Sequence, residues 1–124
     1  MQLTLERPDH RFVLRGADGS TALVNERRLT RSFVITPDHL IEAWPATDVN
    51  ALAATDLAPL LELDPEVILI GSGATQAFPP AATLAACLSR GIGIEVMTNA
   101  AAARTFNVLA GEGRRVVAGL LLPG

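Results

Sequence analysis

The chain has 124 residues, of which 49% are hydrophobic and 19% charged, with a net charge of −3. It contains no lysine and no tyrosine, and all ten basic residues are arginine, which excludes Schiff-base chemistry, a phosphate-gripping lysine and a phenolic acid. The net negative charge argues against nucleic acid as a ligand, and the single Cys87 excludes an internal disulfide.

The first 36 residues read as antiparallel β structure. "RFVLR", the turn "GADGS" and "TALVN" are expected to form a hairpin around Asp18-Gly19. Arg27, Arg28 and Arg31 form the only basic cluster and read as a solvated face. "RSFVIT" (31–36) is a further strand that Pro37 ends. "PDHLIEAWP" reads as an irregular turn or short strand that packs Trp44. A helix is expected through "ALAATDLAPLLEL", capped by Asp48 or Asn50. Leu52, Leu57, Leu60 and Leu61 face inward there, and Pro59 bends or splits it.

"EVILIG" (66–71) is a continuous apolar run, the mark of a strand buried on both faces. "PPAATLAACLSRG" (79–91) is a helix with proline in its first turn and Gly91 at its end. "GIEVM" (93–97) is the next strand, "TNAAAARTFNVLAGEGR" a helix and "RVVAGLLL" (115–122) the last strand. The expected fold is one three-layer α/β domain over residues 1–124. Its C-terminal part is β-α-β-α-β with parallel strands, which the N-terminal antiparallel strands extend or cover.

Gly71-Ser72-Gly73 follows the buried strand and so lies at the carboxyl edge of the sheet, where ligands of open α/β sheets gather. It is no dinucleotide fingerprint, because Gln76 stands where a third glycine is needed. It is no nucleophile elbow either, because Ser72 touches both glycines. A tight strand-to-loop turn and a ligand contact both stay open. Thr98-Asn99 are good N-caps for the next helix, whose first N–H groups favour anions. Arg104 and Asn107 share a stripe with Ala100 and Gly111. With Ser72 and the Thr98 region they could cradle an anion or carbonyl; the other reading pairs Arg104 with Glu95 or Glu112. Ala102, Phe106, Leu109 and Ala110 form the core face of the same helix.

No catalytic residue, metal or cofactor is expected. His10 and His39 lack metal-ligand spacing, and Cys87 falls on a core face of its helix. Asp38, His39 and Ser72 are not expected to meet as a triad. Glu112, Arg114 and Arg115 read as exposed or interfacial ion pairs. The polar N-terminus has no apolar signal core, and no run approaches the roughly 20 apolar residues of a membrane helix. A cytoplasmic protein is the expectation. Abundant Ala and Arg without Lys suggests a bacterial one.

The block "GIGIEVMTNAAAARTFNVLAGEGRRVVAGLL" resembles the domain-of-unknown-function 498 family, which includes mitochondrial complex I assembly factor 3 and an adipogenesis-associated vertebrate protein. The likeness runs from "RSFVITP" through the Trp44 segment and "VILIGSG" to Met97-Thr98, Arg104–Asn107 and "EGRRV". Ser72 stands where the family often has Thr, Ala103 where many members have Cys, and Phe106 where many have Tyr. The resemblance implies a compact three-layer α/β domain and a role in protein assembly or interaction, with no enzymatic activity attached. The expected function is a non-enzymatic binding or assembly-factor-like protein with a shallow polar site at the sheet edge. The alternative is a protein or enzyme for a small anion, using Gly71–Gly73 and Arg104. A protein partner or a homodimer is expected, the latter favoured by low charge and the apolar tail "VVAGLLLPG".

Overall fold

The uninterrupted apolar runs occupy the middle of one sheet. The computed structural model describes residues 11–124, so His10 lies outside the described residues. Its strands are β1 (Leu14–Ala17), β2 (Ala22–Val24), β3 (Arg27–Leu29), β4 (Arg31–Ile35), β5 (Leu40–Ile41), β6 (Val67–Gly71), β7 (Gly93–Met97) and β8 (Val116–Pro123). The helices are α1 (Ala58–Leu61), α2 (Ala81–Leu88) and α3 (Asn99–Gly111).

Five strands form the main sheet in the order β5-β4-β8-β6-β7. β6 runs parallel to β7 and β8, while β4 runs antiparallel to β5 and β8. The step from β6 through α2 to β7 goes one way along the sheet. The step from β7 through α3 to β8 goes back past β6, so crossovers of one hand place the two helices on opposite faces. Period-2 alternation then splits each central strand between two cores. Val67 and Leu69 of β6 join Val116, Ala118, Leu120 and Leu122 of β8 on the α3 side. Ile68 and Ile70 join Val117 and Leu121 on the α2 side.

β1, β2 and β3 form a separate antiparallel sheet. It packs beside α3, and Leu14, Ala22, Val24 and Leu29 share a core with Phe33 and Ile35 of β4. The early strands therefore divide: β4 and β5 extend the main sheet and β1–β3 cover it. The expected hairpin forms, its turn held by Asp18 Oδ1, which accepts the N–H groups of Ser20 and Thr21, both at 2.8 Å. β3 was hidden because two of its three residues are arginine; its register with β2 makes it a strand.

Two expectations change. The helix foreseen from Ala51 breaks into a 3₁₀ turn (Val49–Ala51) capped by Asp48, a second (Ala54–Leu57) and the four-residue α1. Pro59 sits at the start of α1, where its missing N–H costs nothing. The Trp44 indole donates to the Asp56 carbonyl at 2.9 Å, which fixes the second turn. Leu52, Leu57 and Leu60 are buried, and Leu61 is only half-buried. The apolar tail is no association edge either: β8 lies between β4 and β6 with Val116 to Leu122 buried. An uninterrupted apolar strand is apolar because both faces are covered.

Candidate functional site

β6 ends at Gly71, and a Cβ there would overlap Oδ1 of Asn99. Asn99 follows the N-cap Thr98 but turns inward and is 0% exposed. Its Oδ1 accepts the Gly73 N–H at 3.1 Å, and its Nδ2 donates to the carbonyls of Asp18 and Leu121, both at 2.9 Å. Its backbone N–H donates to the Gly73 carbonyl at 2.9 Å. One side chain thus joins the glycine turn, the start of α3, the hairpin turn and the end of β8. The sequence marked Asn99 only as a cap; the glycine at 71 was the signal of its close approach.

The rest of the turn is also engaged. The Ser72 N–H donates to the Met97 carbonyl at 2.8 Å, and Ser72 Oγ donates to the Thr75 carbonyl at 2.8 Å. Thr98 Oγ1 accepts the Ala101 N–H at 3.2 Å as a helix cap. Ser72, Gly73 and Thr98 therefore have their polar groups taken up by neighbours of the turn, namely Met97, Thr75, Asn99 and Ala101.

Arg104 and Asn107 stand apart from them, along α3 where it meets β1. Asn107 Oδ1 accepts the Leu14 N–H at 3.0 Å and its Nδ2 donates to the Leu14 carbonyl at 2.7 Å. The amide completes the edge of β1 as a neighbouring strand would. Arg104 shares a groove of about 230 Å³ with Arg15, between walls that include Gly16, Ala17, Ala100 and Ala103. Ser72 and Thr98 are not among its walls. Both arginines are exposed. The ion pairs among the described residues are Arg27–Glu42, Arg114–Glu66 at 3.7 Å and Arg115–Asp64 at 3.8 Å. Arg104 therefore pairs with neither Glu95 nor Glu112, and Arg15 has no carboxylate partner among the described residues. Arg28 lines an adjoining cavity of about 190 Å³ that shares Gly16 and Ala17 with this groove. The alternation of "RFVLRG" places Arg15 opposite the buried Leu14, but nothing local says which helix the hairpin will cover.

Elsewhere the geometry is less suggestive of chemistry. A cavity of about 340 Å³ lies at the amino end of β8, lined by Asp38, His39, Leu63, Arg114 and Arg115 among others. Sequence reading did not find it. Ser72 follows the carboxyl end of β6, roughly 16 Å away along a five-residue strand, so Asp38 and His39 form no triad with it. Cys87 is fully buried, and burial pushes its thiol pKa up, which disfavours the reactive thiolate. Among the described residues no cluster of His, Cys, Asp and Glu could hold a metal ion. No described helix is long and apolar enough to cross a membrane.

A model of the family described as "Protein of unknown function (DUF498/DUF598)" matches residues 15–121. A Xanthomonas campestris protein solved by NMR is 52% identical, with a TM-score of 0.85 over 100% of this chain and 94% of that one. A Bordetella pertussis protein described as a Mth938-like domain is 28% identical, with a TM-score of 0.81 over 100% of this chain and 94% of that one. A Francisella tularensis protein named "13 kDa major membrane protein" is 32% identical over 69 residues, and the match spans 56% of each chain.

Proposed function

The chain belongs to the DUF498/DUF598 family of proteins of unknown function, and from that premise we propose that it is a non-enzymatic, assembly-factor-like binding protein of the cytoplasm. Its site is the groove between α3 and β1, which takes an acidic segment of a partner protein. The observation that carries this reading is the pair of exposed arginines, Arg15 and Arg104, on one groove with no carboxylate of their own among the described residues. Guanidinium groups hold carboxylates through paired, charge-assisted hydrogen bonds. The small walls at Gly16, Ala17, Ala100 and Ala103 let a partner backbone come close. The non-enzymatic part is supported by Ser72, whose hydroxyl is committed to a carbonyl, and by Cys87, which is enclosed in the core.

The alternative, a small-anion protein or enzyme built on Gly71–Gly73 and Arg104, has less support. Asn99 and Met97 occupy the turn's polar groups, and Arg104 shares its groove with Arg15 instead.

A short poly-glutamate peptide is the direct probe. It should bind with an affinity that falls as salt rises, and Arg104→Met or Arg15→Met should each weaken it roughly tenfold or more. Methionine keeps the apolar stem and removes the charge. Phosphate and sulfate, compared with chloride at matched ionic strength, test the small-anion alternative: at ten times its dissociation constant a ligand adds about 1.4 kcal/mol of stability. If wild type and both variants bind the peptide equally, the groove is not the site. If only phosphate or sulfate responds to the substitutions, the small-anion reading replaces this one.

A further inference from the structure

From Val67 to Ile94 the chain carries a single charged residue, Arg90. α2 lies within this stretch. Thr83 and Cys87 face its core, while Ala81, Ala82, Ala85 and Leu88 are exposed, Leu88 by 60%. A surface helix ordinarily carries charge on its outer side, and one that is apolar all round is covered by something. Phe78, just before α2, is 58% exposed.

β7, against which α2 packs, is the outer strand of the sheet. Gly93 and Met97 turn their backbone groups inward: the Gly93 N–H donates to Glu66, and the Met97 carbonyl accepts from Ser72. Alternation therefore turns those of Ile94 and Val96 outward. Gln76 Nε2 donates to the Val96 carbonyl at 3.0 Å and so closes that end of the edge. Among the described residues, Ile94 is left with both its N–H and its carbonyl open.

We propose that a second copy of this chain covers this face, with β7 pairing antiparallel to the partner's β7 about a twofold axis at Ile94. In an antiparallel ladder two residues directly opposite exchange both N–H···O bonds. Ile94 facing its own copy satisfies both groups and asks nothing of the capped Val96 carbonyl. A longer extended segment of another protein would run into that cap. An axis perpendicular to the sheet keeps α2 and its copy on the same face, so their uncharged sides meet. A twofold contact is self-complementary, so unlike features of one surface meet. The antiparallel arrangement keeps the two Arg90 side chains at opposite ends and brings each towards the end where the partner's exposed Phe78 stands, a cation and an aromatic face. The two five-stranded sheets become one of ten strands, within the range open sheets reach.

Sedimentation of the full chain at micromolar concentration should show a species of twice 13.0 kDa. Leu88→Arg sets unpaired charge into the contact and should weaken association about a hundredfold. Ile94→Pro deletes the outward N–H, which an edge strand tolerates, and should also give monomer with an unchanged circular dichroism spectrum. Val108→Arg, at a 59% exposed apolar residue on the opposite helix, should leave the dimer intact. A monomer persisting to hundreds of micromolar overturns the proposal. So does a dimer that survives Leu88→Arg or one that Val108→Arg breaks. Should Ile94→Pro fail to fold, the Leu88→Arg result decides alone.

Discussion

Asn99 and Asp18 show opposite ways in which one side chain holds backbone in place. Asn99 is buried and bonds to residues as far away as Asp18, while Asp18 is exposed and closes its own turn. Asn99→Leu would leave the Gly73 N–H and the Leu121 carbonyl without partners. The expected loss in a urea unfolding curve is about 2–4 kcal/mol, since each buried unsatisfied group costs its desolvation. A loss under ~1 kcal/mol would show that water or a shifted backbone replaces the amide. Gly71→Ala should destabilise too, because its methyl would fall on Asn99 Oδ1. For Asp18, the backbone N–H groups of Thr21 and Ser20 hold the carboxyl below its usual range. A lowered folded pKa means the turn's stabilisation is present above the unfolded value and is lost as pH falls through the folded one. The Ser20 and Thr21 amide signals should therefore titrate below about pH 3.9 and stay flat there in Asp18→Asn. Titration at or above that value would remove the assigned role from these bonds.

At the scale of elements, β6 and the segment before it behave oppositely. β6 is flanked by β7 and β8 and buried along its whole length. Ile68→Ala should cost about 2–5 kcal/mol by opening a cavity in packed core. A chemical denaturation curve showing a loss below ~0.5 kcal/mol would mean that the site collapses around the missing atoms. The segment from Val49 to Leu61 has helical spacing of leucines, yet only its last turn is α-helix. Its leucines reach the core from separate turns because tertiary anchors fix the chain: Trp44 bonds to the Asp56 carbonyl and Thr83 Oγ1 to the Leu52 carbonyl at 2.6 Å. The hydrophobic pattern was legible, and the element was not, because a helix and a string of tight turns can bury the same residues.

For the whole molecule, both cores lie against the same β4, β6 and β8, so the domain should unfold as one unit. Trp44, the only tryptophan, reports on the α2 side, and the amides of Ala22 and Leu29 report on the small sheet across the main one. Their guanidinium transitions should coincide; loss of the Ala22 and Leu29 signals at lower denaturant would make β1–β3 a separate unit. The features legible in the chain alone are local: the buried run at 66–71, the alternation of strands and helices after it, a helix start at Thr98-Asn99, and the glycine turn at the sheet's carboxyl edge. Each rests on a period or a turn chemistry contained in a few neighbouring residues. The tertiary structure alone decided that β8 lies inside the sheet, that Asn99 reaches Asp18, that Asn107 completes β1, and that Arg15 faces the same groove as Arg104. Asn99 and Asp18 are 81 positions apart, and Asn107 and Leu14 are 93 apart; these meetings follow from strand order and from which helix the hairpin covers, which no local period encodes.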